Sequence, residues 1–201
     1  MACVNDAGVP EPTPVRESLL AAAHARASAG PWAAVRMADV ARDAGVSRQT
    51  LYATFGSRDG LAAALAERTA QAFLQGAVAE VRAAGTPRAA LERAVGWALR
   101  VAADDVLVKS ALTDDRGSLL AYLTTRSEPV VVPIARAVAA ALCERWPRLR
   151  PADAAWAAEA AVRLTVSYLL APTGPPEQYA CRVADLTAPL LAARPGQGDD
   201  D

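Results

Sequence analysis

The side chains of this 201-residue chain best suited to hydrogen-bond chemistry at a surface lie in one run, SRQTLYATF, from Ser47 to Phe55. Leu51 and Phe55, four residues apart, mark the inward face of a short helix. On a wheel referenced to Leu51, the side chains of Gln49, Thr50, Tyr52 and Ala53 point outward, with Arg48 and Thr54 on the flanks. A segment this short has no core of its own, so an exposed row of donors and acceptors implies a surface that meets it. A guanidinium near a helix N-terminus can make a bidentate contact to guanine, and a carboxamide suits adenine; Arg48 and Gln49 carry those groups. Tyr52 and Thr54 can donate to phosphate oxygens, and Arg58, with the free amides at the start of its helix, can hold another.

Other chemistry finds little support. Cys3, Cys143 and Cys181 lie far apart, and with the single histidine, His24, they give no metal-ligand spacing. No nucleophile, base and orienting residue can be assembled, so an enzyme is not expected. Asp104-Asp105 and Asp114-Asp115 read as helix caps and turns rather than a metal site. No metal and no cofactor is implied.

The elements that must hold the Ser47–Phe55 row are legible from their punctuation. Met37, Val40, Ala41 and Ala44 repeat at helical spacing, Gly45 ends that helix, Val46 plugs the corner, and Ser47 caps the next. Ahead of them, 15–29 form a first helix with Leu19, Leu20, Ala23 and Ala27 on one side. Gly30-Pro31 breaks it, and Trp32 and Val35 cover the small core that the first three helices share. Arginines outnumber acids six to four between Arg16 and Asp59, in a chain whose net charge is −1. Any polyanion must therefore be met locally, not by the chain as a whole.

Ser57 caps a long helix from Arg58 to about Ala84, about 38 Å at 1.5 Å per residue, too long to serve the three-helix unit alone. Thr86 and Pro87 open the next, to about Ala103. A shorter helix from Asp104 to Leu112, a turn at 114–117, a short helix from Ser118 to Thr125 and a helix closing at Trp146-Pro147 follow. Pro133 sits in the first turns of the last of these or kinks it. Pro151 to Leu170 is apolar almost all round, and Tyr179, Val183, Leu186 and Leu190 stripe the final helix, kinked near Pro189. With no strand-like alternation, the fold class is all-α. We expect a disordered arm at 1–14, a helix-turn-helix domain at 15–57, a helical bundle at 58–194 and a loose tail at 195–201.

The runs VARDAGVS (Val40 to Ser47), LYATF (Leu51 to Phe55) and SRDGL (Ser57 to Leu61), preceded by Gly30-Pro31-Trp32, resemble the TetR-like one-component transcriptional repressors. The resemblance covers 15–65 with specific motifs; beyond Leu65 only the plan of long helices matches. It implies an N-terminal three-helix helix-turn-helix domain for double-stranded DNA, followed by a ligand-binding and dimerisation bundle. Arg48, Gln49 and Thr50 match the base-reading positions, Tyr52 a phosphate-binding tyrosine, and Arg58 a phosphate grip. Arg36 stands where the family commonly has a capping serine or threonine, so it reaches backbone phosphate instead or leaves a weaker cap. The arm lacks the basic residues often found there.

The same plan implies an effector cavity for a small hydrophobic ligand, for which Trp97, Leu107, Leu112, Tyr122 and Trp156 are the candidates, with Thr113, Arg126 and Arg163 as polar partners. The apolar last two helices imply a homodimer joined as a four-helix bundle through Val162, Val166, Leu169, Val183, Leu186 and Leu190. A pseudo-palindromic operator follows. Without 18 uninterrupted apolar residues or a leader-like N-terminus, a cytoplasmic protein with no membrane partner is expected. The competing reading is a helical ligand-binding or scaffold protein whose helix-turn-helix is vestigial.

Overall fold

A computed structural model describes residues 14–105, 108, 109, 112 and 118–192, and every regular element among them is helical. Helices α1 (Pro14–Ala29), α2 (Met37–Asp43) and α3 (Arg48–Phe55), with a 3-10 turn at Trp32–Ala34, precede the 25-residue α4 (Arg58–Arg82). Then come α5 (Pro87–Asp104), the short α6 (Ser118–Ala121), α7 (Glu128–Arg145), α8 (Pro151–Leu170), α9 (Pro176–Thr187) and a 3-10 turn at Ala188–Leu191. Leu107, Thr113, the 114–117 turn, the arm to residue 13 and the tail from residue 193 lie outside the described residues.

Local chemistry sets the helix starts. The hydroxyls of Ser47, Ser57 and Thr86 each accept the amide of the third residue on, Thr50, Gly60 and Ala89, at 3.0, 3.1 and 3.2 Å. Each satisfies a first-turn amide that the helix itself leaves unpaired. Asp105 accepts the Val108 amide at 2.9 Å in the same way. Gly45 takes φ 69°, the left-handed conformation that lets the chain turn sharply from α2 towards α3 at no Cβ cost. Pro133 lies inside α7, whereas Pro189 marks where α9 has already passed into the 3-10 turn. A proline cannot supply the amide that would continue the helix.

Two cores result. The first gathers Leu19, Leu20 and Ala23 of α1, Trp32, Val40 and Ala41 of α2, Leu51 of α3, and Leu61, Ala62 and Leu65 of α4. Its apolar packing thus extends two turns into the long helix. Trp32 is fully buried within it. The second core joins Ala77 and Val81 of α4 to Leu91, Val95 and Leu99 of α5, Val138 and Leu142 of α7, the alanines of α8 and Tyr179 and Val183 of α9. Tyr179 stacks on Tyr168 at 4.2 Å and shares hydrogen bonds with the amide and hydroxyl of Thr173, which fixes the α8–α9 turn. Arg88 binds Asp185 at 2.6 Å, ties α5 to α9, and holds that carboxyl below its ordinary range. Among the described residues no helix is long and apolar enough to cross a membrane.

Gly76, in the middle of α4, has a packing reason. A Cβ there would stand 2.0 Å from the Trp97 ring of α5. Glycine inside a helix ordinarily costs roughly 0.5–1 kcal/mol against alanine, so Gly→Ala in a helix usually stabilises. Here overpacking, at about 1–3 kcal/mol, outweighs that gain. Gly76→Ala should lower the thermal midpoint in the native chain and raise it in a Trp97→Leu background, as read by circular dichroism.

Candidate functional site

The candidate reading surface is α3. Its buried anchor is Leu51, while Arg48, Gln49, Tyr52 and Thr54 are exposed, Thr50 is half-buried, and Tyr52 retains 43% of its accessible surface. Three hydroxyls are already engaged: Thr50 Oγ1 lies 2.8 Å from Ser47 Oγ, and Thr54 donates to the Thr50 carbonyl at 2.8 Å. Ser47 and Thr54 therefore shape the helix, and the groups free to reach outward are those of Arg48, Gln49 and Tyr52.

The arginines around α3 divide by partner. Arg26 binds Asp43 at 2.6 Å and approaches Asp39 at 3.5 Å, and Arg42 binds Asp39 at 2.7 Å. The Arg26 hydrogen bond holds the Asp43 carboxyl below its ordinary range. The Arg26 pairs connect α1 to α2, and the Arg42 pair lies within α2. Arg36 precedes α2 without a side-chain cap, is exposed like Arg48, and neither makes an ion pair among the described residues. Local positive charge is thereby left on the edges of the reading unit.

Arg58 is placed differently from the expectation of a phosphate grip. Its guanidinium donates to the Trp32 carbonyl and lies over the Trp32 ring, 5.6 Å from the centroid. It thus clamps the start of α4 to the 3-10 turn. Sequence reading missed this because its partner is 26 residues away.

A second candidate site is a cavity of about 130 Å³ bounded by α4, α5, α7, α8 and residues 108, 122 and 123. On α4 its wall runs from Ala66 to Ala77, about 16 Å at 1.5 Å per residue. Its described lining carries no charged side chain, and its hydroxyls are those of Thr69, Tyr122 and Thr165. Of the expected ligand residues, Tyr122 is in the wall. Trp97 instead packs edge-on behind the wall residue Phe73, and Leu112 is half-buried outside the described lining. Trp156 is 73% exposed on the far side of α8, because that helix turns its alanines inward. Arg163 is turned outward too, bound to Glu159 at 2.8 Å, and Arg126 is not in the described lining.

The residues expected at a dimer contact split for the same reason. Val162, Val166 and Leu169 line the cavity, and Val183 is fully buried in its own subunit. Val162, Val166 and Leu169 are half-buried, so part of each side chain remains accessible. Leu186 and Leu190 are exposed, at 63% and 37%, on the final helix and its continuation. Trp156, Glu159 and Arg163, which sequence reading did not assign to an interface, share the outward face of α8. The signal for them was the Glu159–Arg163 pair, which already marked the face turned from the core.

The Arg58 clamp has a measurable consequence. Arg58→Ala should destabilise the chain by on the order of 1 to 2 kcal/mol through loss of the charged hydrogen bond and the ring contact. Urea denaturation checks this; unchanged stability would restore Arg58 to a purely surface role.

Comparison with known proteins places these features. Residues 19–65 match the family model described as bacterial regulatory proteins, tetR family, and residues 87–189 match that described as bacterial tetracyclin repressor, C-terminal domain. The chain is 34% identical over 178 residues to the HTH-type transcriptional regulator AlkX of Mycobacterium tuberculosis (strain ATCC 25618 / H37Rv), covering 88% of this chain and 84% of that protein. Among solved structures, the TetR family repressor AlkX from Dietzia sp. strain DQ12-45-1b, described as implicated in biodegradation of n-alkanes, is 33% identical. It superposes with a TM-score of 0.74 over 87% of this chain and 96% of its own. A TetR transcriptional regulator from Rhodococcus sp. RHA1 shares the fold, with a TM-score of 0.60 at 21% identity over 89% and 96% of the two chains. With an N-terminal helix-turn-helix and a helical ligand-binding domain behind it, this chain belongs to the TetR family of DNA-binding, non-enzymatic transcriptional regulators.

Proposed function

We propose that the protein is a cytoplasmic homodimeric repressor that binds a pseudo-palindromic operator and is released by a small hydrophobic effector held in the cavity. The observation that carries this reading is the two-sided role of α4: its first turns are built into the core under the reading helix, and its middle turns form a cavity wall. Arg48 and Gln49 read bases, Tyr52 and the exposed Arg36 contact phosphates, and Ser47, Thr50 and Thr54 hold the helix that presents them.

Cavity shape narrows the effector. About 130 Å³ spread along roughly 16 Å of helix favours a long, thin occupant, and an uncharged wall favours an alkyl chain over a bulky or charged ring system. The AlkX repressor's stated connection with n-alkanes supports the same class.

For dimerisation, the proposed contact is the outward face of α8 and α9, with Trp156 and Leu186 at its centre. An indole left 73% exposed and a leucine left 63% exposed are the kind of anchors that interfaces bury. Glu159 and Arg163 supply a polar rim. Two copies joined there fix the distance between reading helices.

Binding assays on the protein's own upstream DNA test the reading. A specific, salt-sensitive shift at a palindrome is expected, and n-dodecane or 1-dodecanol should weaken it. Arg48→Ala should relax base preference at one position of each half-site, a loss of about 1–3 kcal/mol in discrimination, with non-specific affinity little changed. Trp156→Glu or Leu186→Glu should give monomers in sedimentation and lower operator affinity by roughly a hundredfold or more. Dimers that survive both substitutions would move the interface elsewhere.

A further inference from the structure

Tyr122, immediately after α6, has two memberships. Its side chain is only 7% exposed and belongs to the first core, with Trp32, Leu51 and Leu61, yet the same residue lines the cavity. Among the described cavity-lining residues it is the one that is also a buried member of that core; Ala66 and Val130 pack against the core only as partly buried neighbours. Its hydroxyl points at the backbone carbonyl of Asp59, at 3.5 Å. Asp59 lies in the first turn of α4, between the Arg58 clamp on Trp32 and the Gly60 amide that Ser57 caps.

This geometry differs from a structural staple. An O–H···O bond at full strength is about 2.7–2.8 Å long, so a 3.5 Å contact orients Tyr122 but adds little energy to break. The ring itself is the wall between the cavity and the core, and a close-packed core passes on a displacement instead of absorbing it. A cavity occupant that pushes the ring must therefore move something in the first core. The nearest backbone to which the side chain is tied is the first turn of α4, behind the reading helix.

We propose that Tyr122 is the positioning residue through which occupancy of the cavity is read at the start of α4, so that filling the cavity shifts the reading unit away from its DNA-competent state. This rests on the reading of the cavity as the effector site. Linkage then requires the occupant to bind more tightly to the state with Tyr122 displaced.

The test needs no knowledge of the natural effector. Ala98→Leu, on the α5 wall and outside the first core, enlarges a cavity-lining side chain without touching the residues of that core. Operator Kd is measured for full-length wild type, Ala98→Leu, Tyr122→Leu, Tyr122→Phe and the two double variants, with thermal midpoints recorded for each. Ala98→Leu should weaken operator binding about tenfold in the native background, within the usual range of coupling between sites, and less than about twofold in the Tyr122→Leu background. Tyr122→Phe, which keeps the ring, should restore most of that difference. Hydrogen exchange at 58–62 should rise with Ala98→Leu only where the ring is present.

A merely structural tyrosine would weaken operator binding in every background and leave the Ala98→Leu ratio unchanged. Equal ratios in the wild-type and Tyr122→Leu backgrounds, whether large or nil, overturn the proposal. The effector reading is judged separately by displacement of the uncharged dye N-phenyl-1-naphthylamine with 1-dodecanol. Displacement with operator release but no dependence on Tyr122 removes Tyr122 and keeps the effector site. No binding of either compound removes the effector site itself.

Discussion

The burial of α4 at both ends constrains the rest of the structure. Leu61, Ala62 and Leu65 pack in the first core with Leu51 of α3, while Ala77 and Val81 belong to the second core, where α4 packs against α5 and α7. A helix is stiff along its axis, and these contacts are apolar and fully desolvated at both ends. Neither core can therefore move far without moving the helix or losing burial, worth about 25 cal/mol for each Å² uncovered. The Arg58 clamp and the Ser57 cap fix the near end to the 3-10 turn, and Gly76 lets α5 approach the middle closely through Trp97. Between the two anchored ends α4 contributes Thr69, Ala70 and Phe73 to the cavity wall, where it has space beside it instead of packed side chains.

How far this was legible in the sequence depended on how local the determining physics is. Ser47, Ser57, Thr86 and Gly45 could be read because caps and left-handed turns are decided within four residues, and the structure has them in those roles. Leu51 and Trp32 were legible because a large apolar side chain in a short amphipathic or broken segment has one place to go. Arg58 was not, since a cation beside a helix start serves a phosphate or a carbonyl equally well until the fold brings Trp32 over it. Helix α8 shows the other limit. Apolar nearly all round, it gives a periodic pattern no means of choosing a face, and neighbouring residues on a helix point 100° apart. Val162 and Val166 turned inward to the cavity, whereas Trp156, Glu159 and Arg163 turned out. Cavities are harder still, because Ala98 or Val138 beside a void is the same residue type as one in a filled core.

The charge arrangement of the reading unit follows a similar division of labour. Asp39 and Asp43 neutralise Arg26 and Arg42, and the Arg26 pairs join α1 to α2. Exposed pairs of this kind contribute little stability each, so their main effect is to remove two cations from competition for an anionic partner. Arg36 and Arg48 are left at positions where a duplex can reach them. In a chain of net charge −1, attraction to DNA must then come from a few contacts, not from a broad positive field. With the few phosphate contacts proposed, binding remains salt-sensitive but with a smaller slope than in a strongly basic protein, since each neutralised phosphate contributes about 0.9 to the slope of the logarithm of affinity against that of salt. If Arg48 and Gln49 read bases as proposed, that readout carries a larger share of affinity than it would in a strongly basic protein. In the proposed dimer, two reading helices held at a fixed spacing would make so small a contact set sufficient, and the exposed face of α8 and α9 would then be a determinant of DNA affinity.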